Sequence, residues 1–167
     1  MGTLAKSKKI SIKQLSIIIA IALLVGAYFI YMSFAAATTM TVSPTTGSKP
    51  LGTDFVVDVR VNSDTEDINT VRSNISFPAD KLQFVSIDTS TSAFSIQAVN
   101  FGSNTSATPN VGAVKLERGT ITSVRGDQLI ARVTFRPIAT GSATISLDST
   151  SLALRSSDNT NILTIRN

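Results

Sequence analysis

The chain has 167 residues, with no cysteine, histidine or tryptophan and a formal charge of +4. The missing residue types remove a disulfide framework, the usual zinc ligands, and both Ser–His–Asp and Cys–His catalysis. The charge belongs to one end only. Lys6, Lys8, Lys9 and Lys13 precede the first carboxylate, Asp54, while from residue 35 onward three lysines and eight arginines balance eleven carboxylates. A neutral body offers no basic face to a nucleic acid.

Residues 1–14 read as a basic cytoplasmic tail. Leu15 to Phe34 (LSIIIAIALLVGAYFIYMSF) then form an uncharged apolar run. As a helix it reaches about 30 Å, the thickness of a bilayer's hydrocarbon core. Lysines on one side alone predict a single-pass cell-membrane protein with its N-terminus cytoplasmic and its C-terminal part extracellular. Tyr28, Phe29 and Tyr31 sit near the outer end, where aromatic rings favour the interface. The same run also reads as a signal-peptide core. Ala35-Ala36-Ala37 then suits cleavage after Ala37, which would leave a secreted domain. Residues 35–38 are a short linker.

Residues 39–167 change to a period of two. In Asp54–Asn62, Phe55, Val57, Val59 and Val61 point one way and Asp58 and Arg60 the other, a half-buried strand. Val71, Ile75 and Phe77 share the next apolar face, with Arg72, Asn74 and Ser76 opposite, and Pro78-Ala79-Asp80 turns the chain. Strands follow at Leu82–Asp88, Phe94–Phe101 and Val111–Glu117, the last ending before Gly119, with a polar loop at Ser103–Asn110. After a turn at Val124-Arg125-Gly126-Asp127, Leu129, Ala131, Val133 and Phe135 align on one face, and Ser142–Asp148 forms a further strand. Leu152–Arg155 and Ile162–Arg166 are expected to close the domain as a hairpin. Eight or nine short strands with no helical period predict an all-β sandwich.

Three segments resemble bacterial cohesin domains: TVSPTTGSKPLGTDFVVDVRVN (41–62), NTVRSNISFPADKLQFVSID (69–88) and GDQLIARVTFRPIATGSATISLD (126–148). The resemblance implies a nine-stranded jelly-roll sandwich of the carbohydrate-binding superfamily. Cohesins bind dockerins, small calcium-loaded helical modules, and the face they use includes the outward side of the third strand. Here that side carries Thr70, Arg72, Asn74 and Ser76, with Lys115 and Glu117 as polar neighbours on a later strand. The type I branch of the family places small polar or acidic residues at the positions of Thr70 and Arg72, so Arg72 reverses the local charge.

Asp64, Glu66 and Asp67 gather oxygen ligands in one loop, a calcium candidate that lacks EF-hand spacing. No other cofactor is implied, and no carboxylate pair sits in a glycosidase motif, so no enzymatic activity is expected. Asn74-Ile75-Ser76 and Asn104-Thr105-Ser106 fit the glycosylation sequon. The expected function is a membrane-anchored interaction module that binds a protein partner at the cell surface, with a dockerin-type module as one candidate. Two alternatives stand beside it: a carbohydrate-binding surface module that takes a polysaccharide, and a self-assembling cell-envelope subunit. Against the carbohydrate reading, phenylalanine is the only aromatic residue after residue 35, whereas sugars stack best on tryptophan or tyrosine.

Overall fold

The computed structural model describes residues 11–32, 37–103 and 111–167, with side chains for all of these except 27–32 and 165. It divides into two units, Met1–Ala35 and Ala36–Asn167. The first holds α1 (Ile12–Met32). A capping box starts this helix: the Gln14 amide donates to Ser11 Oγ at 3.3 Å and the Ser11 amide to Gln14 Oε1 at 3.0 Å. Among the described residues no helix is long and apolar enough to cross a membrane. The expected span Leu15–Phe34 therefore rests on its sequence. Phe34, most of the Ala35–Ala37 junction and Asn104 lie outside the described residues.

The second unit is a two-sheet sandwich of ten described strands: β1 (Thr38–Ser43), β2 (Phe55–Asn62), β3 (Ile68–Pro78), β4 (Leu82–Asp88), β5 (Ile96–Ser103), β6 (Val111–Val124), β7 (Asp127–Pro137), β8 (Ser146–Leu147), β9 (Leu152–Arg155) and β10 (Leu163–Arg166). One sheet has the order β10-β1-β2-β7-β4 and the other β5-β6-β3-β8, with β9 also on β3. β8 pairs with Ile75 and Ser76 while β9 pairs with residues 68–72, so both run along one side of β3. They form a single interrupted lane, which makes nine lanes from ten strands. The break follows from a polar knot over Asn74. Its carbonyl accepts the Asp148 amide at 2.8 Å, and its own amide donates to Ser151 Oγ at 3.1 Å.

The alternating residues meet between the sheets. Val57, Val59 and Val61 of β2, Val71, Ile75 and Phe77 of β3 and Ala131, Val133 and Phe135 of β7 are buried in one core. Phe77 packs edge-on against Phe135 with ring centroids 4.9 Å apart. Gly112 lies opposite Phe77 in the β3–β6 ladder, and the Phe77 ring occupies the space a Cβ there would need, 2.1 Å from its nearest atom. Gly102 on β5 is covered in the same way by Phe84.

Four expectations are corrected. Leu129 is only half-buried and Ile130 takes the core position, because Val59 faces Ala131 while Arg60 faces Leu129. The unpaired Ile130 is a bulge that shifts the alternation by one. β6 does not stop before Gly119 but runs to Val124, which turns Arg118 inward. Of the strand expected over Ser142–Asp148, only Ser146–Leu147 is extended. Finally, the closing segments are not a laddered hairpin. β9 joins β3, β10 runs parallel to β1 in the other sheet, and one bridge, Leu154 to Asn161, connects them.

Candidate partner-binding face

Residues directly opposite in an antiparallel ladder project from the same side of the sheet. On β6, Val114, Leu116 and Arg118 are buried, so Ala113, Lys115, Glu117 and Gly119 look outward. Register then assigns the rest of the outer face. On β3, Ser76, Asn74, Arg72 and Thr70 lie opposite those four in turn. On β5, Ser103, Phe101, Val99 and Ile96 do the same. The six residues singled out by sequence, Thr70, Arg72, Asn74, Ser76, Lys115 and Glu117, thus stand on one face of two adjacent strands.

Arg72 is not a free cation there. Its Nε donates to Glu117 Oε2 at 2.9 Å, and this bond raises the already high Arg72 pKa. Asn74 donates through Nδ2 to Thr150 Oγ1. Ser76 and Ser146 share a hydroxyl contact of 3.1 Å. Lys115 is exposed and makes no ion pair among the described residues.

The sequence reading missed the row on β5. Ile96 and Phe101 are each 48% exposed and Val99 39%. Their spacing hides them, because a register shift between Gln97 and Val99 breaks the alternation and returns Val99 and Phe101 to the outer face. Phe94, seven residues from the exposed Phe101, is fully buried. Arg118 was missed too. It is 4% exposed and donates from Nε to the Phe94 carbonyl at 2.8 Å, and burial lowers its pKa.

The calcium candidates have other partners. Glu66 accepts Arg155 Nε at 2.8 Å, and Asp67 receives Arg125 through both oxygens at 2.9 and 2.7 Å. Asp64 is exposed at a positive φ of 52°, its amide donating to Asn62 Oδ1. Two of the three carboxylates are thereby neutralised by guanidinium groups. Among the described residues no cluster of three His, Cys, Asp or Glu could hold a metal ion.

The family model described as Cohesin domain matches residues 38–165. No curated protein matches the chain. Solved structures with the same fold include the sixth cohesin from scaffoldin B of Acetivibrio cellulolyticus, in complex with a mutant Cel5 dockerin. It is 18% identical, with 78% of this chain and 94% of that one covered at a TM-score of 0.58. The cohesin CaCohA2 from Clostridium acetobutylicum is 14% identical over 77% of this chain and 85% of its own, at a TM-score of 0.60. A non-cellulosomal cohesin from the archaeon Archaeoglobus fulgidus is 18% identical over 78% and 88%, at a TM-score of 0.51.

Proposed function

This chain belongs to the cohesin domain family, and on that premise we propose that it is a non-catalytic module that holds a protein partner on the outer face of β5, β6 and β3. The observation that carries this reading is the β5 row. Three apolar side chains, Ile96, Val99 and Phe101, lie exposed in register with the polar grid of Glu117, Lys115, Arg72 and Asn74. An apolar strip rimmed by charged and amide groups has the composition of a protein interface. The partner class that the family suggests is a dockerin-type module. Solved relatives at low identity are seen in complex with dockerins. The Arg72–Glu117 pair presents a local dipole rather than a bare positive charge, which leaves Lys115 on the central strand as the cation this face offers a partner.

The same proposal places the module at a cell surface. Support comes from the sequence of the uncharged apolar run Leu15–Phe34 and from the four lysines at its N-terminal end. N-terminal sequencing of the protein from its native membrane separates the two forms of display. A start at Thr38 means cleavage after Ala37; an intact N-terminus means a permanent anchor.

The binding proposal is tested by capture of a panel of purified dockerin modules on the full chain. Phe101→Ala and Arg72→Glu should each weaken capture at least about tenfold with melting unchanged. If no dockerin binds, or if both variants bind as the parent does, the proposal fails.

A further inference from the structure

A cavity lies at one end of the sandwich, away from the sheet face. The β1–β2 connection and the β7–β8 connection enclose an open cavity of 670 Å³. That is within the usual range for small-molecule sites, about 300–1,000 Å³. Val42, Val57 and Leu82 form an apolar floor, and serine and threonine hydroxyls from both connections line the walls. Lys49 and Lys81 also line it, and no aspartate or glutamate does.

The charge pattern of the whole domain makes this pair informative. Six of the eight arginines after residue 35 are ion-paired: Arg60, Arg72, Arg125, Arg132, Arg136 and Arg155. The other two, Arg118 and Arg166, donate to the carbonyls of Phe94 and Ser151. The lysines make no ion pair among the described residues, and two of the three stand in this one cavity. Each is oriented by a neutral contact that leaves its charge uncompensated. Lys81 Nζ donates to the Ser142 carbonyl at 2.9 Å, and Lys49 Nζ lies 5.4 Å from the centre of the Phe55 ring. Both contacts leave ammonium hydrogens free for a ligand, since a lysine carries three donors.

We propose that this cavity binds an acidic sugar, its carboxylate or phosphate taken by Lys49 and Lys81 and its hydroxyls by the serine and threonine rim. Ammonium groups favour oxyanions, short hydroxyls exchange hydrogen bonds with sugar hydroxyls in either direction, and the apolar floor suits the C–H face of a ring. Carboxylate and phosphate sugars share this chemistry, and the probes tell them apart.

The test is calorimetric titration of the full chain in a non-ionic detergent with trigalacturonate, glucose 6-phosphate, neutral maltotriose and inorganic phosphate. An acidic sugar should bind at least about tenfold more tightly than maltotriose and than inorganic phosphate. The better of the two acidic probes identifies the anionic group. Lys49→Gln with Lys81→Gln should weaken it about tenfold or more, and Lys115→Gln, on the sheet face, should leave it unchanged. Lys81→Gln removes a contact that braces Ser142. Should that variant fail to fold, Lys49→Gln alone decides, because Lys49 is exposed and donates to no backbone group in the cavity. The proposal is overturned if neither acidic sugar binds by about 10 mM. It is also overturned if maltotriose or inorganic phosphate binds equally well, if the lysine variants bind as the parent does, or if Lys115→Gln weakens binding to the same extent.

Discussion

The two sheets share one core, yet their outer faces are built on opposite plans. The outer face of the β1–β2–β7 sheet is laced by guanidinium–carboxylate pairs. Arg136 meets Asp54 at 2.6 Å, Arg60 meets Asp127 at 2.9 Å and Arg132 meets Asp58 at 3.3 Å. Its charges are consumed within the face. The β3–β6–β5 face has one such pair, Arg72–Glu117, and beside it an unpaired Lys115 and the exposed Ile96, Val99 and Phe101. A face whose charges are satisfied and whose strands are crossed by ion pairs gains little from a partner. A face with exposed apolar area gains more, because that area is improved by leaving water, and its unspent donors can meet acceptors on the partner. That difference, rather than charge content, marks the second face as the binding one.

The comparison depends on a common interior, and the largest effect should appear there. Phe135 is fully buried between Phe55 and Phe77, with centroids 6.0 and 4.9 Å away. Phe135→Ala should cost about 3–5 kcal/mol in urea unfolding and loosen both sheets together. Gly112→Ala should cost about 1–3 kcal/mol, since the new methyl meets the Phe77 ring, which is confined by Phe135. Phe77→Leu in the same chain should recover part of that loss, and the recovery would show that crowding is the cause.

The faces themselves separate under matched surface changes. Val56, on the first sheet, is exposed to nearly the same degree as Phe101. Phe101→Ala should weaken partner capture by about 1.4 kcal/mol or more and Val56→Ala should leave it unaltered, with neither shifting the melting temperature much. Equal effects would erase the distinction between faces. Double-mutant cycles on Arg72–Glu117 and Arg132–Asp58 should each return no more than about 0.5 kcal/mol of stability, because both pairs are partly exposed to solvent. Only the Arg72–Glu117 cycle should register in binding.

The smallest expected effect is on acid stability. Three aspartates are held below their ordinary value of 3.8: Asp54 by the Arg136 hydrogen bond, Asp88 by the Ser90 amide and Asp158 by the Thr160 amide. A carboxylate whose folded pKa is depressed contributes fully above its unfolded value. The contribution is lost as pH falls through the folded one. With no histidine or cysteine to titrate, melting temperature should stay level from about pH 5 to about pH 9 and decline only below about pH 4. Asp54→Asn should shrink that decline, since asparagine has no charge to lose.

Much of the architecture could be read from residue patterning. Val57, Val59 and Val61, or Val71, Ile75 and Phe77, declare their buried side by strict alternation, because a strand's side chains must alternate and only one side of these sheets meets the core. The same rule showed which side of β3 faces outward, and the resemblance to cohesins made that side the candidate partner face. Where alternation is broken by a bulge, the reading slipped by one residue at Leu129 and Ile130, and between Gln97 and Val99 the shift left the outer row of β5 unread. A bulge leaves no local mark strong enough to be seen in the sequence, since it is stabilised by the partner strand.

By itself, then, the sequence determined the basic flank and apolar run, the β-patterned neutral body, the side of β3 that faces outward, and the absence of the residues most catalysis needs. Only the tertiary structure decided which neighbours those residues acquire. It set Arg72 against Glu117, gave Glu66 and Asp67 to arginines, laid an apolar row along β5, and brought Lys49 and Lys81 into one cavity. The physical reason is range. Alternation is a property of adjacent residues, whereas the ion pairs and the two lysines join residues 32 or more positions apart, and the β5 row is fixed by its register against β6.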